Sequence, residues 1–255
     1  TTANKQTFIY SVKGNDTLRL DKYEDISVIA QKPCIIFVYG GGFFSGKRNS
    51  ERNVKYMNKL AEEGYVAVAI DYRLGFKDIK EKKVDSKKDM IKLFENTLSM
   101  AVEDLYDATT FVYNHADDWN INRDMIVANG SSAGAITVLQ AEYYISNNMA
   151  ITERLPENFN YAGVIAFAGA IYSNSGKLKW ENPPCPVQFF HGDSDSIIPF
   201  GKINIFRYHF SGSDFIVDQL DKMKSPYFFY VVENASHEIS TKPMEENIKE
   251  INEFI

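Results

Sequence analysis

A serine between two glycines is the strongest chemical signal in the sequence. Ser132 stands at the centre of the pentapeptide GSSAG (residues 130–134), which follows a predicted strand at 125–129 and precedes a predicted helix that begins at Ala133. At the tip of such a strand-to-helix turn a serine is strained and its hydroxyl is exposed, while the glycines leave room for the tight crossing. The pattern predicts a nucleophilic Ser132, although a glycine- and serine-rich turn that only caps a helix would contain the same residues.

An acid and a histidine stand at similar places further along the chain. Asp195 lies in HGDSDSIIP (residues 191–199), directly after a predicted strand at 187–190, and His237 follows a predicted strand at 227–232. An imidazole can take the proton from a serine hydroxyl and return it to the leaving group, and a carboxylate can orient that imidazole and stabilise its charged form. Ser132, Asp195 and His237 are therefore a candidate catalytic triad.

Asp195 and His237 also have simpler structural explanations, and another aspartate could be the acid of the triad. His237 could cap the helix that follows it, and Asp195 could be an ordinary turn residue. Asp193 is the rival acid, and we prefer Asp195 because it stands two residues closer to the apex of the loop, before the sequence IIP. His191 is expected to order its own loop.

Three consecutive glycines end another predicted strand. Residues 39–43 read YGGGF and follow the apolar run at 34–39. Free amides in a loop without side chains can converge on an oxyanion. A flexible turn is the simpler alternative, and a nucleotide-phosphate loop is disfavoured because no Gly-Lys-Ser/Thr follows and no G-x-G-x-x-G spacing fits.

Alternating strands and helices must position these residues. Continuously apolar runs predict buried parallel strands, covered on both faces, at 34–39, 65–70, 125–129, 164–168, 187–190 and 227–232. Helical patterns lie between and after them, at 51–63, 101–115, 133–146, 214–224 and 244–254. A hairpin of residues 8–12 and 18–20 is expected at the edge, so the sequence predicts an α/β fold with a mostly parallel sheet.

One charged segment, at about 76–94, interrupts this alternation. It is rich in Lys and Asp and has only a weak apolar stripe. A charged segment of this kind is usually a solvated surface helix, and a lid over a cleft is the functional alternative.

Length and composition favour one globular domain over residues 1–255. The chain has 255 residues, of which 44% are hydrophobic and 24% charged, so it can bury a large core. Its net charge of −6 argues against a nucleic-acid partner. No apolar stretch approaches the length of about 18 residues that a membrane span needs.

We expect neither a cofactor nor a metal. The two cysteines, Cys34 and Cys185, open apolar runs and form no CxxC pair, and the histidines lie far apart, at His115, His191, His209 and His237. The first residue is Thr1 rather than Met, so we expect that a segment has been removed. If that segment was a signal peptide, the protein is secreted or periplasmic, and otherwise it is cytoplasmic.

Together these motifs resemble the α/β-hydrolase superfamily, and within it the carboxylesterase branch of hormone-sensitive-lipase-like, feruloyl-esterase-like and acetylxylan-esterase-like enzymes. The resemblance covers nearly the whole chain. The segments 39–46 (YGGGFFSG), 64–75 (GYVAVAIDYRLG), 101–134 and 191–199 look like the family's HGGG, DYRL, helix-then-elbow and HGxxDxxVP blocks. The order Ser, acid, His is also the one expected for this superfamily.

The resemblance implies a fold and a set of roles. The fold would be an α/β-hydrolase fold, with a central sheet of about eight strands flanked by helices. Ser132 would be the nucleophile, Asp195 the acid and His237 the base. From the position of Ser132 in the pentapeptide, we expect replacement of the neighbouring Ser131 by alanine to be nearly harmless. The oxyanion donors would be the backbone amides of Gly41, Gly42 and Ala133.

Two departures from the family pattern bear on the substrate. Tyr39 stands where the family usually has His, which indicates a different hydrogen bond organising the glycine loop. The segment 76–94 replaces the common Ala-Pro-Glu continuation, which indicates a different pocket. We expect a serine carboxylic-ester hydrolase that forms an acyl-enzyme, with acetyl or feruloyl esters of carbohydrates as candidate substrates. A peptidase or thioesterase of the same fold and a non-catalytic binding module are the alternatives.

Overall fold

The computed structural model describes residues 3–205 and 208–255, which form two β-sheets and the helices that flank them. The strands, in chain order, are β1 (Asn4–Lys13), β2 (Asp16–Glu24), β3 (Lys32–Val38), β4 (Val66–Ile70), β5 (Ile121–Ser131), β6 (Gly163–Phe167), β7 (Ala170–Ser173), β8 (Val187–Gly192), β9 (Lys202–Ile205), β10 (Tyr208–Gly212) and β11 (Tyr227–Val232). The helices are α1 (Glu51–Glu62), α2 (Lys87–Asn114), α3 (Ala133–Ser146), α4 (Ser213–Met223), α5 (Pro243–Glu246) and α6 (Ile248–Phe254). Short 3₁₀ helices lie at Ile79–Glu81, Ala150–Arg154 and His237–Ser240.

The main sheet has eight strands and is mostly parallel. Its order is β1-β2-β4-β3-β5-β6-β8-β11, and every pair from β4 to β11 is parallel. β1 and β2 form the expected antiparallel hairpin at one edge, and β2 also pairs antiparallel with β4. The predicted fold class is confirmed. Because β3, β5, β8 and β11 run in the same direction, the loops after them open at one edge of the sheet, and these loops carry the candidate site.

The inner strands match the sequence prediction, whereas the last strand does not. All five residues of β4 and of β6 are buried, as expected for apolar strands covered on both faces. β11 was expected to be covered in the same way, but it is the edge strand of the sheet. Its side chains at Phe228, Val231 and Val232 are 47%, 45% and 38% exposed.

The second sheet was not predicted. It is small and antiparallel, with the strand order β7-β10-β9. β7 follows β6 after a break of two residues, so the apolar sequence there reads as one strand. The chain between β8 and α4 forms β9 and β10, with four and five residues. Such short strands contain too few residues to show a period.

The charged segment 76–94 divides into two parts. Its first half contains the 3₁₀ turn at Ile79–Glu81, and its second half is the beginning of α2, which starts 14 residues before the predicted helix. Ser86 caps this helix, because its Oγ accepts a hydrogen bond of 3.1 Å from the amide of Asp89. The end residues, Phe76 and Phe94, pack against the core, so the segment is anchored at both ends.

The remaining differences are small. The predicted helix at 244–254 is divided into α5 and α6 at Asn247, whose backbone is not helical (φ −122°, ψ 29°). Cys34 is buried in β3 and Cys185 is partly buried, and neither forms a disulfide. None of the helices in residues 3–205 and 208–255 is long and apolar enough to cross a membrane.

Candidate active site

Ser132 occupies a strained turn between β5 and α3. Its backbone has φ 52° and ψ −116°, a conformation that side-chain-bearing residues rarely adopt. The glycines on either side make the turn possible. A Cβ atom on Gly130 would lie 2.2 Å from the carbonyl oxygen of Gly134, and one on Gly134 would lie 1.9 Å from the carbonyl oxygen of Val38. Only glycine fits at both positions, and Ser132 is held at the carboxyl end of the sheet.

Three side chains from three loops form a continuous hydrogen-bonded chain. The Oγ atom of Ser132 lies 2.8 Å from Nε2 of His237, and Nδ1 of His237 lies 2.8 Å from Oδ2 of Asp195. The Asp195 side chain is fully buried, whereas the His237 side chain is 19% exposed. The structure thus brings together all three residues of the predicted triad. A hydroxyl, an imidazole and a carboxylate in this arrangement can pass the hydroxyl proton to the imidazole.

The Asp195 carboxylate is held in its ionised form by hydrogen bonds. Its Oδ1 accepts from the amides of Ile197 at 2.9 Å and Ile198 at 3.0 Å, and its Oδ2 lies 3.5 Å from Nε2 of His191. Burial alone would raise the pKa of this carboxyl. The imidazoles of His191 and His237, together with the two amides, outweigh burial and hold its pKa well below the usual range.

Asp193, the rival acid, has a different position. Its side chain is exposed, and its Oδ1 accepts hydrogen bonds of 2.8 Å from the amide of Asn234 and 3.0 Å from the hydroxyl of Ser194. The contact with Asn234 joins the loop after β8 to the loop after β11. Asp193 therefore fastens the two loops that carry Asp195 and His237.

Among the other histidines, all of which the structure describes, His191 contacts the triad through Oδ2 of Asp195, whereas His115 and His209 do not. His191 is buried; its Nε2 lies 3.2 Å from the carbonyl oxygen of Ile198, and its Nδ1 lies 2.7 Å from Oγ of Ser213. The contact with Ile198 orders the loop after β8, as expected. His115 follows the last residue of α2 and stacks on Trp119, and His209 lies in β10.

The glycine loop after β3 packs directly against the serine turn. A Cβ atom on Gly40 would lie 2.9 Å from the carbonyl oxygen of Ser131, so the two segments are in contact. Gly41 (φ 134°) and Gly42 (φ 62°) adopt conformations that favour glycine. Within the described residues, neither of their amides donates a hydrogen bond to a backbone carbonyl. These amides, and that of Ala133 at the start of α3, are available to a ligand beside Ser132.

Tyr39 supports this loop by packing and through its backbone. The ring of Tyr39 is buried and lies 4.8 Å from the ring of Tyr72, centroid to centroid. The hydroxyl of Tyr72 donates a hydrogen bond of 2.8 Å to the carbonyl oxygen of Tyr39. A Cβ atom on Gly46 would lie 2.7 Å from the Tyr39 ring, so the loop closes tightly over it. The phenol from the DYRL-like segment thus supplies a hydrogen bond to the start of the glycine loop.

Ser131 has a contact that the sequence did not predict. Its hydroxyl is buried and donates a hydrogen bond of 2.5 Å to the carbonyl oxygen of Ser240. Ser240 is the last residue of the 3₁₀ turn that begins at His237. Ser131 therefore links β5 to the turn that carries His237. The two segments lie far apart in sequence, so no local pattern could predict this contact.

Two cavities meet at Ser132. One of about 370 Å³ is mainly apolar and is lined by Gly42, Phe43, Phe76, Phe94, Ser132, Ala133, Ile136, Ala170, Ile197, Ile198, Pro199, Ile203 and Phe210. The other, of about 470 Å³, we call the polar cleft because Lys47, Arg52 and His237 line it, although most of its lining surface is apolar. Its lining residues are Tyr39, Gly40, Gly41, Gly42, Phe44, Gly46, Lys47, Ser50, Arg52, Asn53, Ser131, Ser132, Ile197, His237, Ser240, Thr241 and Met244. A larger molecule bound at Ser132 would extend in two directions, toward aromatic rings and toward polar groups.

Within residues 3–205 and 208–255, one cluster of carboxylates is close enough to hold a metal ion. It consists of Glu103, Asp104 and Asp107 on α2. Cations of the protein already contact these oxygens at 2.6 to 3.0 Å, from Lys13, Arg73 and Arg154. The cluster is an ion-pair network that joins β1 and the segment after β4 to α2, and its carboxylates are neutralised without a metal.

The family model described as BD-FAE matches residues 20–175. An AB hydrolase superfamily protein of Schizosaccharomyces pombe is 28% identical over 103 residues, which are 40% of this chain and 24% of that protein. The chain thus spans about a quarter of the length of this relative.

Solved structures of an enzyme named as an esterase share the fold of this chain. The native esterase Est2 of the planctomycete Thermogutta terrifontis superimposes on this chain with a TM-score of 0.68 at 20% identity. The alignment covers 97% of this chain and 88% of Est2. The same enzyme phosphoramylated by tabun gives a TM-score of 0.66 at 19% identity, with 97% and 90% covered. At this identity the similarity establishes the α/β-hydrolase fold.

Proposed function

The chain belongs to the BD-FAE family of α/β-hydrolases, and from this membership and the geometry at Ser132 we propose that it is a serine carboxylic-ester hydrolase. The observation that carries the proposal is the hydrogen-bonded chain from Ser132 through His237 to Asp195. Beside it lie the amides of Gly41 and Gly42, which donate to no backbone carbonyl of the described residues. Strands from both ends of the chain, β1 and β11, belong to one sheet. We therefore also propose that residues 1–255 form a single catalytic domain.

The proposed reaction has two halves joined by an acyl-enzyme. The Ser132 Oγ attacks the ester carbonyl while its proton moves to Nε2 of His237, and the tetrahedral intermediate collapses as that proton passes to the leaving alcohol. Water then attacks the acyl-serine, gives a proton to the same nitrogen, and releases the acid as Ser132 regains its proton. Asp195, ionised and buried, stabilises the imidazolium in both halves.

Charge that develops on the carbonyl oxygen needs donors fixed in advance. The amides of Gly41, Gly42 and Ala133 supply them in this proposal. All three residues line the cavities at Ser132, and in the described residues the amides of Gly41 and Gly42 donate to no backbone carbonyl. The N-terminus of α3 adds a favourable dipole at the same place. Amides fixed by the surrounding fold need no reorganisation during the reaction, which is why such donors are effective.

The two cavities divide the ester into an acyl side and an alcohol side. His237 must protonate the leaving oxygen, so the alcohol leaves into the polar cleft, which His237 lines. The acyl group then occupies the apolar cavity, which includes Phe43, Phe76, Phe94 and Phe210. An aromatic cavity of about 370 Å³ has room for more than an acetyl group and suits a feruloyl group, while polar groups opposite suit a sugar. Feruloyl and acetyl esters of carbohydrates are the proposed substrates.

A substrate panel tests this proposal. The panel contains 4-nitrophenyl esters from acetyl to octanoyl, a feruloyl ester and acetylated sugars, together with a thioester and a peptide anilide. We expect hydrolysis of the oxygen esters and a loss of several orders of magnitude in kcat for Ser132→Ala, with an unchanged melting temperature. Preferential cleavage of the thioester or the anilide would assign the site to a thioesterase or peptidase instead.

A further inference from the structure

Two cations line the polar cleft on the alcohol side of Ser132. Lys47 lies in the loop that follows the three glycines, and Arg52 lies in the first turn of α1. The backbone of this segment is fixed, because Oγ of Ser50 accepts from the amide of Asn53 and Nδ2 of Asn53 donates to the carbonyl oxygen of Lys47 at 2.8 Å. Both positive side chains therefore extend from a rigid support.

Neighbouring cations of the same segment are paired, whereas these two are not. Arg48 contacts Asp71 at 2.7 Å and Asp21 at 3.2 Å, and Lys55 contacts Glu51 at 2.7 Å. Across residues 3–205 and 208–255, neither Lys47 nor Arg52 has a carboxylate within ion-pair distance. Within residues 47–55, the two cations without a carboxylate partner are the two that line the polar cleft.

Among the residues that the structure describes, no acidic side chain lines the polar cleft. Lys47 and Arg52 give the polar cleft two positive charges, whereas the protein as a whole has a net charge of −6. A protein with excess negative charge repels anions at long range, so binding an anion requires local positive charge. The electrostatic attraction of an exposed cation extends roughly 8 Å at physiological ionic strength. Lys47 and Arg52 can therefore attract a charged group on the leaving alcohol without contacting the ester bond.

We propose that Lys47 and Arg52 select esters whose alcohol part carries a negatively charged group. The inference rests on the proposed function, because it assumes that the alcohol occupies the polar cleft. Within carbohydrate esters, the matching chemistry is an ester on an acidic sugar, such as an acetylated uronic acid. The charged group acts at the substrate's far end, while Ser132, His237 and Asp195 act on the ester bond.

A matched pair of substrates separates charge from shape. 3-Acetoxybenzoate and 3-acetoxybenzamide release the same acyl group from leaving groups of similar size, and only the first leaving group is an anion. The quantity measured is the ratio of kcat/KM for the anionic to the neutral ester. Comparing this ratio between variants cancels the different intrinsic reactivities of the two esters.

The variants are Lys47→Gln, Arg52→Gln and the double variant, with Lys55→Gln as the matched control. Lys55 is a cation of the same helix, but it is paired with Glu51 and does not line the polar cleft. We expect the ratio to fall about two- to fivefold in each single variant, as for other exposed ion pairs, and further in the double variant. Lys55→Gln should keep the wild-type ratio, and raising the salt concentration should lower that ratio in the wild type.

The outcomes separate this inference from the proposed function. An unchanged ratio in the double variant, in an enzyme that hydrolyses both esters, would overturn the selectivity and leave the hydrolase standing. An equal fall in Lys55→Gln would also overturn it, because the effect would then come from net charge. If the wild type hydrolyses neither ester, nor any ester of the panel, the proposed function fails and the inference fails with it.

Discussion

The two aspartates of the loop after β8 differ in burial and in what they contact. Asp195 is buried and contacts His237, whereas Asp193 is exposed and contacts the backbone of Asn234. Their types and their neighbours in sequence are nearly alike, so the difference comes from where the loop turns. At the scale of a residue, function here depends on which carboxylate the backbone directs toward the imidazole.

Exchanging each aspartate for its amide gives the first prediction. Asp195→Asn should lower kcat by a factor on the order of 10⁴, because the amide cannot stabilise the imidazolium or fix its tautomer. Asp193→Asn should keep most of the activity and lose stability instead, since its carboxylate accepts loop hydrogen bonds. Measuring kcat and the melting temperature of both variants checks this. An inactive but stable Asp193→Asn beside an active Asp195→Asn would reverse the assignment.

Ser131 provides the second prediction. Its hydroxyl is the donor to the carbonyl oxygen of Ser240, so Ser131→Ala leaves a buried acceptor unsatisfied, at a cost of about 1 to 3 kcal/mol. Because that acceptor ends the turn that begins at His237, kcat should fall severalfold while KM changes little. The expectation from sequence, that Ser131 is dispensable, is therefore revised. Wild-type values of both kcat and melting temperature would show that this bond does not position the imidazole.

The sequence alone predicted the residues of the triad because each has a local signature. Ser132 lies in a pentapeptide with glycines at fixed positions, and Asp195 and His237 each follow an apolar run. The bond from Ser131 to Ser240 spans 109 residues and has no such signature. Likewise, nothing in the spacing of Lys47 and Arg52 indicates which of the neighbouring cations lack an acid.

The aromatic side of the site depends on where α2 begins. This helix starts at Lys87, so Phe94 lies on its third turn and faces the rings of Phe43, Phe76, Tyr172 and Phe210 at centroid distances of 5.3 to 6.2 Å. The segment 76–94 thus contributes its two end residues to the cavity wall and leaves its charged middle in solvent. At the scale of an element, the two ends of segment 76–94 form part of the wall of the apolar cavity, which is the proposed acyl side.

Opening that wall gives the third prediction. Phe94→Ala removes a ring that lines the apolar cavity, so longer acyl chains should gain relative to acetyl. Each additional buried methylene contributes about 0.8 kcal/mol, which is roughly fourfold in kcat/KM. The measurement is the octanoyl-to-acetyl ratio of kcat/KM, and Met90→Ala, one turn earlier on α2 and exposed, is the control. Equal ratios in the two variants would place the acyl chain elsewhere.

Elements with a distinctive sequence pattern were predicted well, whereas elements that depend on tertiary pairing were not. Buried strands such as β4 and β6 have uniformly apolar sequences, and the pattern alone identifies them. β11 has an equally apolar sequence, but its place at the edge of the sheet follows from strand order. The early turns of α2 are charged and exposed, so their helical form rests on the Ser86 cap and on the anchoring of Phe94.

At the scale of the whole molecule, stability depends on buried charge far from the site. Glu142 on α3 is 4% exposed; its Oε1 accepts from the amide of Cys185 at 2.8 Å, and among the described residues its buried Oε2 has no partner. Burial raises the pKa of this carboxyl to about 7. In the unfolded chain the pKa returns to about 4.3.

The pH dependence of unfolding gives the fourth prediction. Between about pH 4.3 and 7 the folded protein holds a proton on Glu142 that the unfolded chain releases, so this group lowers stability as the pH rises through that window and adds no further change above it. Glu142→Gln should remove that slope and raise the melting temperature at neutral pH. Glu157→Gln, an exposed control, should follow the wild type. Parallel curves for the wild type and Glu142→Gln would show that the carboxyl titrates normally.

The central claim is that Ser132 is the nucleophile of an ester hydrolase, and covalent labelling tests it most directly. A fluorophosphonate should add one phosphonyl group per chain, with ester hydrolysis lost in proportion, and peptide mass mapping should locate the adduct on Ser132 rather than Ser131. Ser132→Ala should take up no label. An adduct on Ser131, or a wild-type protein that stays unlabelled while folded, would contradict the account.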